Sequence, residues 1–226
     1  MNIDIVQGHF PPPNPDGATV VIDVIRAFTT SYYAFCNGVR TIYPVATPEA
    51  AFDLKADHPD ALLAGEIDAL PIAGFDFGNS PWEMQHADLA GRPLILRTTN
   101  GVIATLNAFP CAHLFVAGLV NADATAEAIA ALGVDQVVLV ASHPTGDEDL
   151  ACAQYLRGRL GGDGISLDEA VQRTRDARAA RKFLSGDHPR LRAADIELAA
   201  TPVETAFALR VHSGDPLQIL PEPRSA

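Results

Sequence analysis

Short runs rich in Val, Ile and Leu alternate along the chain with stretches whose apolar residues recur at helical spacing. The runs are too continuous for strands with one solvated face, so they predict strands buried on both faces. Helical segments between them favour parallel neighbours. The order predicts an α/β protein with three α/β/α layers around a mostly parallel sheet. Its strands are predicted at residues 3–6, 19–23, 41–45, 61–64, 94–97, 114–117 and 136–141.

Helices are predicted near residues 29–37, 48–56, 102–108, 123–132 and 148–160. Thr47 before Pro48 is typical of a helix start. A glycine-rich run at residues 161–164 follows, and beyond it Ser166 is a candidate N-cap for helices over 167–184. We therefore predict an α/β core over 1–160 and a mainly helical C-terminal portion, 161–226, packed on the same domain, with short extended pieces near 207–211 and 217–220.

Composition limits the classes of partner. With 226 residues, 48% of them hydrophobic, the chain can bury a substantial core. A net charge of −12 argues against nucleic acid as the main partner, but a small phosphorylated ligand needs only a local positive site. No stretch has the length of a membrane span, and a secretory leader is not evident, which predicts a cytoplasmic protein with no membrane partner. The three scattered cysteines do not have zinc-site or disulfide spacing.

Three predicted strands end in residues suited to an anionic ligand. Thr99, Asn100 and Gly101 follow one strand and open a helix, so backbone N–H groups and hydroxyls converge there. Asp23 and Arg26 follow a second strand, with Thr29 and Thr30 in the next helical turn. Acidic residues 147–149 open the helix after a third strand. Because the carboxyl ends of parallel strands share one edge of a sheet, we expect a single crevice.

Each of these segments also has a purely structural interpretation. Asp23 could cap a helix or pair with Arg26, and acids in a first helical turn are favoured by the helix dipole. The long loop over 74–81 carries Asp76, Asn79 and Ser80, and either of the last two could cap a helix beginning at Pro81. Long loops also carry function, so both interpretations remain open for this segment.

Taken together, these segments resemble the 2-phosphosulfolactate phosphatase family. The matching stretches are 21–27 with Thr29 and Thr30, Gly65–Glu66, 74–81, 98–101, Asn121–Ala122 and 148–153. The resemblance covers about residues 18–160 and is loose in the last third. It implies an α/β/α fold and Mg²⁺-dependent hydrolysis of 2-phospho-3-sulfolactate to 3-sulfolactate and phosphate, a step in coenzyme M synthesis.

The leading hypothesis is a phosphatase acting on a small acidic phosphomonoester. Mg²⁺ and protein donors would neutralise the phosphate oxygens, where charge must be held during transfer. Predicted Mg²⁺ ligands are Glu148 and Asp149, with Asp23 either a third ligand or the group that orients the attacking water. The predicted catalytic residues are Asp23, Arg26, Glu66 and Asp76, and the predicted substrate-binding residues are Thr29, Thr30, Asn79, Ser80, Thr99, Asn100 and Gly101.

One motif departs from the family. The family's Gly-Glu-Arg-Gly-Gly is replaced here by residues 65–69, Gly-Glu-Ile-Asp-Ala, so a positive charge is missing. The loss predicts weak use of phosphosulfolactate unless another basic residue compensates, the candidates being Arg97, Arg173, Arg175, Arg178 and Arg181. It also favours the alternative of a catalytically weak or inactive member that binds an anionic metabolite. A homodimer remains an open alternative for the assembly.

Overall fold

The computed structural model of the protein describes residues 1–109, 111–204 and 206–222. In these ranges the strands are β1 (Asn2–Gln7), β2 (Asn14–Ile22), β3 (Thr41–Pro44), β4 (Leu62–Ile67), β5 (Leu70–Pro71), β6 (Pro93–Arg97), β7 (Cys111–Ala117), β8 (Gln136–Ala141), β9 (Ala208–His212) and β10 (Gln218–Glu222). The helices are α1 (Ala27–Cys36), α2 (Pro48–Asp57), α3 (Pro81–His86), α4 (Gly101–Asn107), α5 (Ala122–Leu132), α6 (Asp147–Arg159), α7 (Leu167–Asp176), α8 (Arg178–Leu184) and α9 (Ala193–Ala199). None of them is long and apolar enough to cross a bilayer.

The strands form one ten-stranded sheet in the order β1-β8-β2-β7-β9-β10-β3-β6-β4-β5. Strands β1, β8, β2 and β7 form one parallel block, and β3, β6 and β4 form a second. The antiparallel strands β9 and β10 stand between the blocks, because β9 pairs with β7 and β10 pairs with β3. The sheet is therefore mostly parallel, as predicted, with an antiparallel bridge in its middle.

Both faces of the sheet are buried, which explains the continuous apolar runs. Along β2, Val21 packs in one core with α1, α3 and α4, while its neighbours Val20 and Ile22 pack in another with α5, α6 and α7. Alternate residues of a strand point to opposite faces, so a strand between two helical layers must be apolar throughout. The predicted three-layer α/β/α architecture is confirmed.

The strands, helices and helix caps predicted from local sequence patterns agree closely with the structure. All seven predicted strands and five predicted helices are present, and Thr47, Ser80 and Ser166 cap α2, α3 and α7 through their side chains. The C-terminal helical stretch is divided at Ala177 into α7 and α8, and the predicted extended pieces are β9 and β10. Because these two strands complete the sheet, the last part of the chain contributes to the core; the division at residue 160 stays a prediction.

The sheet curls strongly between its two blocks. Along the pairing, the blocks run in opposite directions, so in a flat sheet their carboxyl ends would lie at opposite edges. Yet the N–H of Gly101, which opens α4 after the short turn that follows β6, donates to the carboxylate of Asp23, directly after β2, over 2.8 Å. A twist of about 20–25° between neighbouring strands adds up to about 100° or more over the five pairings from β2 to β6. The strand ends therefore meet, as predicted, across a curved sheet and not along one parallel edge.

Candidate active site

A cavity of about 760 Å³ lies where the ends of β2, β6 and β8 face helix α8. One group of its lining residues is acidic: Asp23, Glu66, Asp68 and Glu148. Another group is basic: Arg26, Arg178, Arg181 and Lys182. Asn79, Thr99, Asn100, His143 and Thr145 add polar side chains. A cavity with both signs of charge can hold an anion against its basic residues while carboxylates remain free for a cation or a proton.

Asp23 is held in place by backbone donors. Its Oδ1 accepts from the N–H of Ala27 over 3.0 Å, and its Oδ2 accepts from the N–H of Gly101. A Cβ on Gly101 would lie 2.7 Å from Asp23 Oδ2, so only glycine permits this approach. Burial raises the pKa of Asp23 to about 6, with a further contribution from Glu66, although the two backbone hydrogen bonds oppose the shift.

Glu148 lies in the first turn of α6, where its side chain faces the cavity although only 2% of the residue is exposed. Burial, helped by the charges of Asp23 and Asp147 and opposed by Lys182, raises the pKa of Glu148 to about 7. A carboxyl group with a pKa near neutrality can exchange a proton at physiological pH, which an ordinary glutamate cannot do efficiently.

Asp149, the next residue, connects two strand-end loops. Its Oδ1 accepts from the N–H of Val24 over 2.8 Å, and its Oδ2 accepts from the N–H of His143 over 3.1 Å and from the Ser142 hydroxyl over 3.2 Å. Burial, followed by the charges of Asp23 and Glu148, raises the pKa of Asp149 well above its usual range. Asp149 is not among the cavity-lining residues, so the structure gives it a positioning role, and metal ligation by it stays a prediction.

Glu66 organises the turn after β6. Its Oε1 accepts from the N–H of Thr99, and its Oε2 accepts from the N–H of Ala69, each over 2.6 Å. Asn100, beside Thr99, pairs its Oδ1 with His9 Nε2 at 2.8 Å. Glu66 therefore shapes the surface that Thr99 and Asn100 present to the cavity, in addition to lining it.

The basic residues of α8 are the strongest candidates to replace the missing arginine. Arg178 and Arg181, two of the predicted compensating residues, line the cavity with Lys182. The other three predicted candidates have different partners. Arg97 donates to the carbonyl of Glu66 over 2.6 Å, Arg173 pairs with Asp147, and Arg175 pairs with Glu197. All three α8 cations are exposed, so they are available to a ligand entering from solvent.

Four predicted site residues lie away from this cavity, which corrects their predicted placement. Thr29 and Thr30 are completely buried in α1, and the Thr29 hydroxyl donates to the Val24 carbonyl. The Ser80 hydroxyl caps α3 and donates to Asp195 over 2.6 Å. Asp76 accepts from the N–H of Leu63 over 2.8 Å and lines a separate groove of about 900 Å³. For Thr29, Ser80 and Asp76, a backbone or buried partner engages the side chain that sequence reasoning assigned to the ligand.

Residues of the C-terminal helices also contribute to the site, and none of them was predicted from the sequence as part of it apart from the α8 arginines. Arg26, a predicted catalytic residue, lines the cavity but forms a buried ion pair with Asp195 at 2.7 Å, and its guanidinium carbon lies 4.4 Å from the centre of the Phe183 ring. Neither partner was singled out, nor was Lys182. Their helices follow no strand and carry no strand-end motif, so nothing local in the sequence marks them as site residues.

The cavity has donors suited to a hard cation. Glu148 and Asp23 supply carboxylates, and Asn79 Oδ1 is a buried amide oxygen with no hydrogen-bond partner among the residues in the described ranges. Mg²⁺ takes one or two protein carboxylates and completes its shell with water and phosphate oxygens. Within 1–109, 111–204 and 206–222, however, no group of three or more His, Cys, Asp and Glu side chains is arranged to hold a metal ion. The donors fit a sparse Mg²⁺ site, and the predicted ligand set stays a prediction.

The α/β/α fold and a strand-end cavity lined by acidic and basic groups are typical of α/β proteins that bind small anions. Comparison with known proteins identifies which group of α/β proteins this is. The chain belongs to the 2-phosphosulpholactate phosphatase family, whose family model matches residues 6–194. That family consists of phosphoric monoester hydrolases, so the chain is an enzyme of this class.

Curated relatives carry the same description. A probable 2-phosphosulfolactate phosphatase of Bacillus subtilis is 40% identical over 214 residues, covering 93% of this chain and 94% of the relative. Relatives with that description from Symbiobacterium thermophilum and Deinococcus radiodurans are 41% and 37% identical, covering 62% and 65% of this chain and 63% and 60% of their own lengths.

Proposed function

We propose that the protein is a Mg²⁺-dependent phosphatase that hydrolyses 2-phospho-3-sulfolactate to 3-sulfolactate and phosphate. The observation that carries the proposal is a single cavity lined both by the buried carboxylates of Asp23 and Glu148 and by the cationic residues Arg26, Arg178 and Arg181. The family and the descriptions of its relatives support the substrate. A role in coenzyme M synthesis and a cytoplasmic location remain predictions from the sequence.

The basic groups account for an anionic substrate with charges at both ends. Arg26 lies beside Asp23 at the strand ends, and α8 contributes three exposed cations to the same cavity. In this proposal Arg26 and the Thr99–Asn100 turn bind the phosphate, while Arg178 and Arg181 bind the sulfonate. Charge-assisted hydrogen bonds of this kind are about twice as strong as neutral ones, so two positively charged regions favour a substrate with two separated anionic groups.

The acidic groups account for the chemistry. Water attacks phosphorus, the phosphorus–oxygen bond to the hydroxy acid breaks, and the released alkoxide takes up a proton. With a pKa of about 6, Asp23 can orient the water and accept a proton from it near neutral pH. Glu148, together with water and phosphate oxygens, would hold Mg²⁺, which, when bound, neutralises charge on the phosphate oxygens.

Phosphate release tests the activity. Purified enzyme is incubated with phosphosulfolactate and with phospholactate, each with Mg²⁺ and with excess chelator. We expect release with Mg²⁺, loss of it in chelator, and a higher kcat/KM for phosphosulfolactate. Full turnover in chelator would remove the metal from the proposal, and binding without release of phosphate would favour the metabolite-binding alternative.

A paired variant tests the role of α8. Arg178→Ala with Arg181→Ala is expected to lower kcat/KM for phosphosulfolactate by about tenfold to a hundredfold, because a hydrogen bond to a charged group is worth about 1.5–3 kcal/mol. The same variant should affect phospholactate less. Arg175→Ala is the matched control, since it removes an arginine from α7 whose partner is Glu197 outside the cavity. Equal losses for both substrates would contradict sulfonate binding by α8.

A further inference from the structure

Asp195 is a completely buried carboxylate in α9 that touches the site through one residue. Its Oδ2 pairs with a terminal nitrogen of Arg26 at 2.7 Å, and the exposed fractions of the two side chains are 0% for Asp195 and 4% for Arg26. Asp195 is not among the residues that line the cavity, whereas Arg26 is. Asp195 can therefore affect a ligand only through Arg26.

The other oxygen of Asp195 fixes the carboxylate itself. Oδ1 accepts from the Ser80 hydroxyl over 2.6 Å and from the N–H of Trp82 over 3.2 Å, both at the start of α3. With Oδ1 held by two donors on α3, Oδ2 has a defined direction toward Arg26. The carboxylate is thus oriented by α3 before it orients the guanidinium.

Arg26 is fixed from three sides. Besides Asp195, its second terminal nitrogen donates to the Ala69 carbonyl over 3.1 Å, and the Phe183 ring lies 4.4 Å below the guanidinium carbon. Two acceptors in different directions and one aromatic face define the plane of the group. The guanidinium N–H groups that do not bind these partners are therefore held in one orientation relative to the cavity.

We propose that Asp195 is a positioning residue that orients Arg26 for the phosphate group of the ligand. The inference rests on the proposed function, since it takes the ligand to carry a phosphate. The match to the family model ends at residue 194, one residue before Asp195. Without the carboxylate, Arg26 keeps its charge but loses one of the two acceptors that direct its guanidinium group, and phosphate binding is expected to weaken by about tenfold or more.

The experiment measures inorganic phosphate binding by calorimetry, which needs no turnover. Asp195→Asn is compared with Glu197→Gln, a matched control that removes one negative charge from the same helix in an exposed pair with Arg175. We expect at least about tenfold weaker phosphate binding for Asp195→Asn and a change within about twofold for Glu197→Gln. Near-wild-type phosphate affinity in folded Asp195→Asn, or no phosphate binding by the wild type, overturns the inference.

A double-mutant cycle with Arg26→Ala separates positioning from a general structural effect. If Asp195 acts through Arg26, Asp195→Asn lowers the phosphate affinity of the Arg26→Ala protein by less than about twofold. Equal losses in both backgrounds overturn the inference. Should Asp195→Asn fail to fold, Asp195→Glu, which keeps the charge but displaces it, takes its place with the same expectations. Phosphate binding that follows these expectations without release from phosphosulfolactate would leave the inference standing and reject the proposed function.

Discussion

Three consecutive acidic residues at the start of α6 have three different environments. Asp147 pairs with Arg173 at the surface, and this ion pair lowers the pKa of Asp147. Glu148 faces the cavity, and Asp149 points back to the loops after β2 and β8. Successive side chains on a helix are about 100° apart, so three neighbours cannot share one ligand. The sequence shows the charge of this segment but not the direction of each carboxylate.

Neutralising Glu148 is expected to affect mainly kcat, and neutralising Asp149 is expected to affect mainly stability. Glu148→Gln should lower kcat by about a hundredfold or more and leave the melting temperature unchanged or raised, since it removes a repelling buried charge. Asp149→Asn should cost about 2–4 kcal/mol of stability, because an amide cannot accept from all three donors around it. Phosphate-release assays and thermal unfolding check the pair. A melting temperature for Glu148→Gln as low as that of Asp149→Asn would instead assign Glu148 to the structure.

The raised pKa of Glu148 makes a prediction about stability and pH. A carboxyl whose pKa is higher in the folded state stabilises the fold fully below its ordinary value of 4.5, and that stabilisation is lost as pH rises through about 7. The stability gained by Glu148→Gln should therefore be small near pH 4.5 and grow to about 1–3 kcal/mol by pH 8. Denaturant unfolding at several pH values measures it, and a gain that shrinks as pH rises would contradict the assignment.

The individual strands and helices can be predicted from the sequence, but their arrangement around the cavity can be predicted only in part. Apolar runs mark the strands because both faces of the sheet are covered, and Thr47 and Ser166 mark helix starts. The positions of Thr29 and Thr30 show what is missing. Both follow a strand end, but the start of α1 turns them into the core, and no local pattern encodes that rotation. Lys182 lines the cavity, and Asp195 contacts Arg26, only because α8 and α9 pack at this end of the sheet.

The turn from β6 into α4 is expected to tolerate no side chain at its first helical residue. In Gly101→Ala the new Cβ would lie 2.7 Å from Asp23 Oδ2 and 3.0 Å from the Phe28 ring, closer than packed atoms allow. Asp23 must then move, and we expect kcat to fall by at least about tenfold. Steady-state kinetics with phosphosulfolactate measure the change.

Gly133→Ala provides the control for glycine replacement. Gly133 ends α5 with a φ of +66°, and a Cβ added there would meet no heavy atom within 4 Å, so an alanine introduces backbone strain without a clash. It should cost about 1–2 kcal/mol of stability and leave kcat unchanged. Unchanged kcat in Gly101→Ala, or an equal loss in both variants, would contradict the role given to the β6–α4 turn.

At the scale of the whole molecule, β9 and β10 connect the two parallel blocks. β9 pairs with β7 of the first block, and β10 pairs with β3 of the second. Both strands carry completely or almost completely buried residues, among them Leu209 and Ile219. The sequence predicted extended pieces here but not their place in the middle of the sheet, because strand order depends on long-range pairing that periodicity does not record.

Removing this pair of strands is expected to prevent folding. A chain ending at residue 203 would leave β7 and β3 with unpaired edges and would expose the core that Leu209 and Ile219 cover. Circular dichroism and thermal unfolding should show no cooperative transition, in contrast to the full chain. A truncated protein that unfolds cooperatively at the melting temperature of the full chain would show that the blocks hold together without the bridge.

The antiparallel bridge of β9 and β10 also determines the order in which the sheet can form during synthesis. The ribosome releases β9 and β10 after every other element of the sheet, yet the two parallel blocks become neighbours only through them. The nascent chain can therefore form each block as it emerges, but β7 and β3 keep open edges until β9 and β10 emerge. Open strand edges invite pairing with other chains. The period before β9 and β10 emerge is thus when this protein is most exposed to aggregation, and slow translation of their codons would lengthen it.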